Sequence, residues 1–372
     1  MHILIYNWKD LKNPDVGGAE IILFELAKRF IKEGHQITWF SRSFKGCFSE
    51  EIIDGIKIIR KGNPITVYWH GYKYYKRLEK KPDLVIDALN TIFWQTPLYV
   101  KGKKLAYVNQ LAQEVFFYEL PPVISHLAYL LEKLQFITYK KTPFICYAPS
   151  TKEDLIRMGI PRDNIQLFHL GIDHSRYSPG EKSKTLLFLC VSRLVKMKRI
   201  DLCIKAMKEV IKNYSETKLA IVGYGYAREK LEKLRDELDL KNNVFFADEN
   251  ILFLEKSEKD QKIKLMQQSW ALLFPSVKEG WGMTVTECAA CGTPAIVTDV
   301  TGLRDSVKKD ETGLVISKNP SPKELTEAII KIIKDKELKE NLSQNAIEWA
   351  KNFSWEKSFE EFKNVINQIK NE

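Results

Sequence analysis

Two glutamates with seven residues between them, Glu279 and Glu287, stand in the stretch Phe274 to Pro294, FPSVKEGWGMTVTECAACGTP. An apolar run ending at Phe274 reads as a strand. Gly280 and Gly282 turn the chain, and a small-residue helix starting near Met283 closes at Gly292 and Pro294. Glu279 falls in the glycine-bounded loop and Glu287 about one turn into the helix, so both can face one ligand at the helix start. The unpaired amides from Trp281 to Thr284, those of Gly282 and Met283 among them, suit a diphosphate at the positive end of the helix dipole. Carboxylates repel phosphate and accept hydrogen bonds from hydroxyls, which places sugar at one end and ribose at the other. The plainer reading is an ordinary strand, loop and helix with solvated glutamates.

A second group lies in SRLVKMKR, Ser192 to Arg199, directly after a strand. Arg193 leaves the strand end and Lys198 follows five residues later, so both can converge on the crevice beyond the carboxyl ends of the strands. A solvated basic turn is the alternative. A third group is Gly17 and Gly18, at the start of a helix after the first strand, where backbone amides could hold a phosphate or a sugar. A plain tight turn is the alternative there.

The elements that must position these residues alternate regularly. His2 to Asn7 and Ile37 to Phe40 read as strands around a helix from Ala19 to Glu33, the opening of a doubly wound sheet. It lacks the GxGxxG pattern and the acidic residue that dinucleotide binding wants. Asp83 to Asp87, a strand to Val108 and Phe144 to Tyr147 continue the pattern, with a helix from Thr151 to Met158. The segment Val123 to Tyr139 carries Leu127, Leu130, Leu131 and Leu134 at helical spacing and reads as a core helix, with an interfacial helix as the other reading. Residues 65 to 81 place Tyr68, Tyr72 and Tyr75 on one helical face, with Lys73, Lys76, Arg77 and Lys80 beside it. That is a core-packed helix with a solvated basic side, or a surface for anionic lipid headgroups.

From Leu186 the pattern restarts, with strands near 186–192, 219–223, 244–247, 271–274, 295–298 and 313–316, and three helices close the chain. Two α/β domains with parallel sheets follow, 1–175 and 176–354, hinged where HSRYSPGEKS supplies Pro, Gly and charge.

A length of 372 residues suits two domains, and 44% hydrophobic with 28% charged residues is a globular composition. The amino terminus has no leader pattern and no run approaches the length of a membrane span, which points to a cytoplasmic protein. The six cysteines lie mostly in apolar elements and read as reduced, buried thiols. Cys288 and Cys291 form a single CxxC with no second pair to complete a zinc site. A net charge of +10 asks for an anionic partner, and no nucleic-acid module is recognisable. The excess is dense from Lys57 to Lys81, with eight Lys or Arg against Glu79 alone.

Glu, seven residues, Glu across a strand-to-helix loop, with Arg193 and Lys198 after an earlier strand and a Gly-Gly turn near the start, resembles the family 4 retaining glycosyltransferases. The resemblance spans almost the whole chain and is most specific in its second half. It implies two Rossmann-like domains facing across a cleft, the GT-B architecture, with the last helix, 355–370, crossing back onto the first domain. It implies that Glu279 contacts the donor sugar, that Glu287 holds the ribose, and that Arg193 and Lys198 clamp the diphosphate of a UDP- or GDP-linked sugar. Gly18 would face that diphosphate too.

Relatives usually have histidine where this chain has Asn109, and glycine where it has Ser192. Asn109 can hydrogen-bond a sugar hydroxyl but cannot act as acid or base. The implied activity is hexosyl transfer with retention, to a glycan or lipid-linked acceptor of surface-polysaccharide or glycoconjugate synthesis, with the protein peripheral on the cytoplasmic face of a membrane. No Asp-x-Asp occurs, so no metal site is expected, and the fixed cations take its place. No cofactor beyond the donor is implied. A nucleotide-sugar 2-epimerase and a non-catalytic nucleotide-sugar binding protein share the same architecture.

Overall fold

The computed structural model describes residues 1–247 and 256–371. The chain divides into two compact units, the first made of 1–116, 121–171 and 355–372, the second of 117–120 and 172–354.

In unit 1 the elements are β1 (His2–Tyr6), α1 (Gly18–Lys32), β2 (Gln36–Ser41), β3 (Glu50–Ile53), β4 (Ile56–Arg60), α2 (Val67–Arg77), β5 (Leu84–Leu89), β6 (Lys104–Val108), α3 (Val115–Glu119), which runs on into the segment 117–120 of unit 2, α4 (Pro122–Gln135), β7 (Phe144–Cys146), α5 (Pro149–Arg157) and β8 (Ile165–Leu167). The eight strands form one sheet in the order β3-β4-β2-β1-β5-β6-β7-β8, parallel except for the β3–β4 hairpin. The sequence pattern placed no element between Phe40 and Ile65, yet Asp54 and Gly55, both at positive φ, make the Asp-Gly turn that joins β3 to β4. β1 and β5 are almost wholly buried because helices cover both sheet faces, which is why they read as continuous apolar runs. The final helix of the chain, α13 (Trp355–Asn371), belongs to this unit. Phe359 and Phe362 of α13 pack on Phe30 of α1 with ring centroids 4.8 and 6.3 Å away.

The opposite face of this sheet carries α2 and α4. The crossovers β4 to β5 and β6 to β7 run in the same direction along the sheet, and their right-handedness puts both helices on one side. Consecutive residues join them: Trp94 meets Tyr68 of α2 at 5.0 Å, and Phe93 meets Phe136, just after α4, at 4.8 Å.

Two expectations for this face change. α4 was expected to bury its leucines, but the structure buries only Ser125 and Glu132 and turns the leucines outward. In the basic segment, Lys73, Lys76, Arg77 and Lys80 are exposed, while Arg60 is fully buried in ion pairs with Asp10 and Glu51 and contributes nothing to the surface.

Unit 2 runs β9 (Leu187–Val191), α6 (Ile200–Val210), β10 (Lys218–Val222), α7 (Arg228–Glu237), β11 (Val244–Ala247), α8 (Lys256–Gln268), β12 (Ala271–Phe274), α9 (Met283–Ala290), β13 (Ala295–Thr298), α10 (Leu303–Ser306), β14 (Gly313–Ile316), α11 (Pro322–Lys334) and α12 (Lys336–Ala350). Its six strands are all parallel, in the order β11-β10-β9-β12-β13-β14. The apolar stripe of α11, Leu325, Ile329 and Ile332, joins Ile204 and Met207 of α6 in the core. Among the described residues, no helix is long and apolar enough to cross a membrane.

Candidate active site

β9 and β12 are neighbours in the unit 2 sheet, with Ala271 beside Phe188 and Leu272 beside Leu189. Their carboxyl ends therefore lie side by side, and the loops that leave them are stitched together. The Val277 amide donates to the Met197 carbonyl at 2.9 Å. Arg199, held at φ +50°, sends Nε to the Pro275 carbonyl at 2.7 Å and Nη2 to the carbonyls of Ser276 and Lys318 at 3.2 and 3.0 Å. Thr298 Oγ1 donates to the Ser276 carbonyl at 2.6 Å. On the far side of the loop the Glu279 amide bonds the Thr301 carbonyl at 3.2 Å, and a Cβ on Gly302 would sit 2.2 Å from the Glu279 oxygen. Only glycine permits that approach, so the Glu279 backbone is fixed from both sides.

The two glutamates are each paired with a lysine. Lys198 Nζ bonds the Glu279 carboxylate, with both side chains only about a tenth exposed (10% and 12%). Burial holds Lys198 below the usual lysine range; the Glu279 charge opposes this, and the nearby Arg193 adds to it. Arg193 is exposed on the same loop after β9. Glu287 accepts from Lys262 Nζ of α8 at 2.8 Å. Burial works against the Lys262 charge, but Glu287 and Tyr177 outweigh it and lift the lysine above its ordinary range. The Tyr177 hydroxyl is pushed up by burial and by Glu287.

α9 begins with Gly282 as its cap at φ +89°, and a Cβ there would meet Leu303 at 2.8 Å. Met283 and Thr284 form the first turn, where amides have no acceptor within the helix and the dipole end is positive. The buried Trp281 indole anchors this turn by donating to Thr286 Oγ1 at 2.8 Å.

The structure thus brings together seven of the residues singled out in the sequence: Arg193, Lys198, Glu279, Gly282, Met283, Thr284 and Glu287 all stand at the carboxyl edge of the unit 2 sheet. Asn109 and Gly18 belong to unit 1. Asn109 directly follows β6 and is half-buried; Gly18 is the exposed first residue of α1, whose Gly17 amide is taken by Glu20 at 2.8 Å.

Several residues of the site carried no motif. Lys262 and Tyr177 surround Glu287, and Arg199 holds the loop. Glu119 accepts from the Met197 amide at 2.9 Å and from the Tyr226 hydroxyl, which in turn accepts from the Lys196 amide at 3.0 Å. Of these only Arg199 had a readable signal, its place in the basic run after β9.

The overall architecture is that of solved glycosyltransferase structures. Sucrose-phosphate synthase from Thermosynechococcus elongatus superposes with a TM-score of 0.80 at 19% identity, over 99% of this chain and 98% of the other. Anabaena HepE, solved in complex with UDP-glucose, superposes with a TM-score of 0.77 at 15% identity, over 99% of this chain and all (100%) of the other. Two parallel-sheet α/β domains of this kind make the fold GT-B. The family profile described as Glycosyltransferase Family 4 matches residues 16–176, and that described as Glycosyl transferases group 1 matches residues 172–349. The chain belongs to this glycosyltransferase family. A curated relative, the uncharacterized glycosyltransferase MJ1178 of Methanocaldococcus jannaschii, is 33% identical over 181 residues. That match spans 49% of this chain and 48% of the relative.

Proposed function

We propose that the protein is a retaining hexosyltransferase that moves a sugar from a UDP- or GDP-linked donor to a glycan or lipid-linked acceptor of surface-polysaccharide or glycoconjugate synthesis, without a metal ion. The observation that carries this reading is the convergence of Arg193, Lys198, Glu279, Glu287 and the α9 amino terminus at one sheet edge. The diphosphate lies against the α9 amides, Arg193 and Lys198; the ribose hydroxyls bond Glu287; the sugar hydroxyls bond Glu279.

In the transfer, the acceptor oxygen bonds to the anomeric carbon on the face that the leaving group departs. The bond from that carbon to the phosphate oxygen breaks, the acceptor proton passes to that oxygen, and nucleoside diphosphate leaves. Charge grows on the leaving oxygen, and each well-placed donor stabilises it by about 3 kcal/mol. When the diphosphate takes Lys198, the Glu279 carboxylate is released to accept from the sugar. Lys73, Lys76, Arg77 and Lys80 of the α2 segment would attract an anionic cytoplasmic leaflet, each by about 1 kcal/mol near the surface, which suits an acceptor anchored in lipid.

The test is incubation with UDP-, GDP- and ADP-sugars, reading nucleotide release with and without a lipid extract or oligosaccharide acceptors. Acceptor-dependent release that persists in EDTA supports the reading. Isomerised sugar would make the protein an epimerase, and binding without turnover a sensor. Activity abolished by EDTA and restored by Mg²⁺ would overturn the metal-free mechanism.

A further inference from the structure

α4 is turned inside out. Set on a helical wheel at 100° per residue, Val123, Ile124, Leu127, Leu130, Leu131 and Leu134 fall within an arc of about 120°. All six are exposed, from 49% at Leu131 to 83% at Val123. The opposite side, facing the sheet, is centred on Ser125 and Glu132, both buried. Glu132 accepts the Ala112 and Gln113 amides at 2.7 and 2.8 Å, which anchors the helix by its polar side and leaves the leucines in water. Surface helices of globular proteins carry the reverse pattern, and a contiguous apolar face of this size marks a binding surface.

The charge around the face selects its occupant. From Pro121 to Thr142 the only acid is the buried Glu132, while Lys133, Lys140 and Lys141 are exposed. Ile137, also exposed, extends the apolar stripe past the helix end. The same side of the sheet presents α2, where exposed Trp69 is stacked with Tyr72 and lies under Lys73 at 4.7 Å. An apolar stripe rimmed by lysines, beside an aromatic and basic helix, complements a surface that is anionic outside and hydrocarbon beneath. With 14 residues α4 is about 21 Å long, too short to span a hydrocarbon core of about 30 Å and able to lie flat at its boundary.

We propose that α4 is the membrane-inserting element of this protein, lying in the plane of an anionic bilayer with Val123, Leu127, Leu130 and Leu134 among the acyl chains. The lysines of α2 and of the α4 rim supply attraction to the headgroups, so that two signals act together. This deepens the membrane part of the function proposed above by naming the element that enters the lipid, and it stands apart from the donor site.

Sedimentation with phosphatidylglycerol or phosphatidylcholine vesicles tests it, comparing the unsubstituted protein, Leu127→Ser/Leu130→Ser/Leu134→Ser, and Lys73→Glu/Lys76→Glu. The leucines are exposed, so the serine variant keeps its melting temperature. The unsubstituted protein partitions to the anionic vesicles with part of the binding resisting high salt. The serine variant loses about a hundredfold in partitioning, including the salt-resistant part. An environment-sensitive dye on Leu130→Cys in a Cys47→Ser background shifts to the blue on binding. Full binding by the serine variant with loss in the lysine variant would overturn insertion by α4 while leaving a membrane surface standing. A protein that stays in the supernatant with both vesicles would overturn both. A concentration-dependent dimer that the serine substitutions dissolve, without vesicle binding, would assign the face to a second copy of the chain.

Discussion

Two of the regions that bury carboxyl groups satisfy them differently. On the α2 and α4 face of unit 1, Asp87 accepts from Tyr139, Thr96 Oγ1 and the Thr96 amide, and Glu132 accepts from two backbone amides; these partners are neutral. At the carboxyl edge of the unit 2 sheet, Glu279 and Glu287 are each neutralised by a lysine, Lys198 and Lys262. Neutral donors belong to the fold and cannot be exchanged without breaking it. A lysine can be drawn to a phosphate and can leave its carboxylate to a hydroxyl. The first arrangement is structural; the second leaves a pair that a charged ligand can rearrange.

That difference is open to direct attack, beginning with the largest effect. Glu279→Ala should lower turnover on the order of a thousandfold while leaving affinity for free nucleoside diphosphate nearly intact, read by steady-state kinetics and calorimetry. Equal losses of turnover and of diphosphate binding would show that Glu279 does not act at the sugar.

Glu132→Ala should destabilise the protein by about 3–4 kcal/mol in urea unfolding, because two buried amides lose their acceptor. Glu132→Gln, which keeps one acceptor oxygen, should recover about half. A neutral effect of the alanine would mean that α4 is not anchored by this residue.

The third effect depends on pH. Burial raises Asp87 from 3.8 to about 6, against the opposing hydrogen bonds of Tyr139 and Thr96. The folded protein therefore keeps a proton that the unfolded chain releases, and the stability this contributes is full below pH 3.8 and falls as the pH rises through 6. Between pH 4 and pH 7 the unfolding free energy should drop by about 2 kcal/mol relative to Asp87→Asn, which removes the titration. Parallel pH curves for the two proteins would place Asp87 in a more solvated setting than its burial implies.

The smallest effect belongs to Glu287→Ala, which should weaken nucleoside-diphosphate binding about tenfold with little change in turnover at saturation. If Lys262, left without its partner, binds phosphate instead and affinity rises, the ribose assignment is wrong.

Much of this was legible in the sequence because it depends on local pattern. The alternation of apolar runs with helical periods marked both sheets, and glycines marked the loop before α9 as a tight turn. Arg193, Lys198 and Glu279 were readable because each lies in a loop that leaves a strand end, and Glu287 because it lies in the helix that directly follows one of those loops; strand ends of parallel sheets gather on one edge. The β3–β4 hairpin was not placed from the pattern, although Asp54-Gly55 between isoleucines carries the signal of a two-residue turn.

Residues that meet the site from distant elements had no such signal. Lys262 lies on α8, 25 residues before the glutamate it neutralises, and Tyr177 lies still earlier; nothing in their neighbours distinguishes them from solvated residues. α4 and α11 show the limit most plainly. Both are amphipathic helices of nearly equal length, and the sequence alone determined that each would be a helix with one apolar stripe. Periodicity defines the stripe but not its direction. In α11 the stripe is drawn onto α6 by the core it completes. In α4 the orientation is decided by Glu132, whose two amide donors come from a turn some twenty residues away in the chain, and only the assembled sheet brings them within reach.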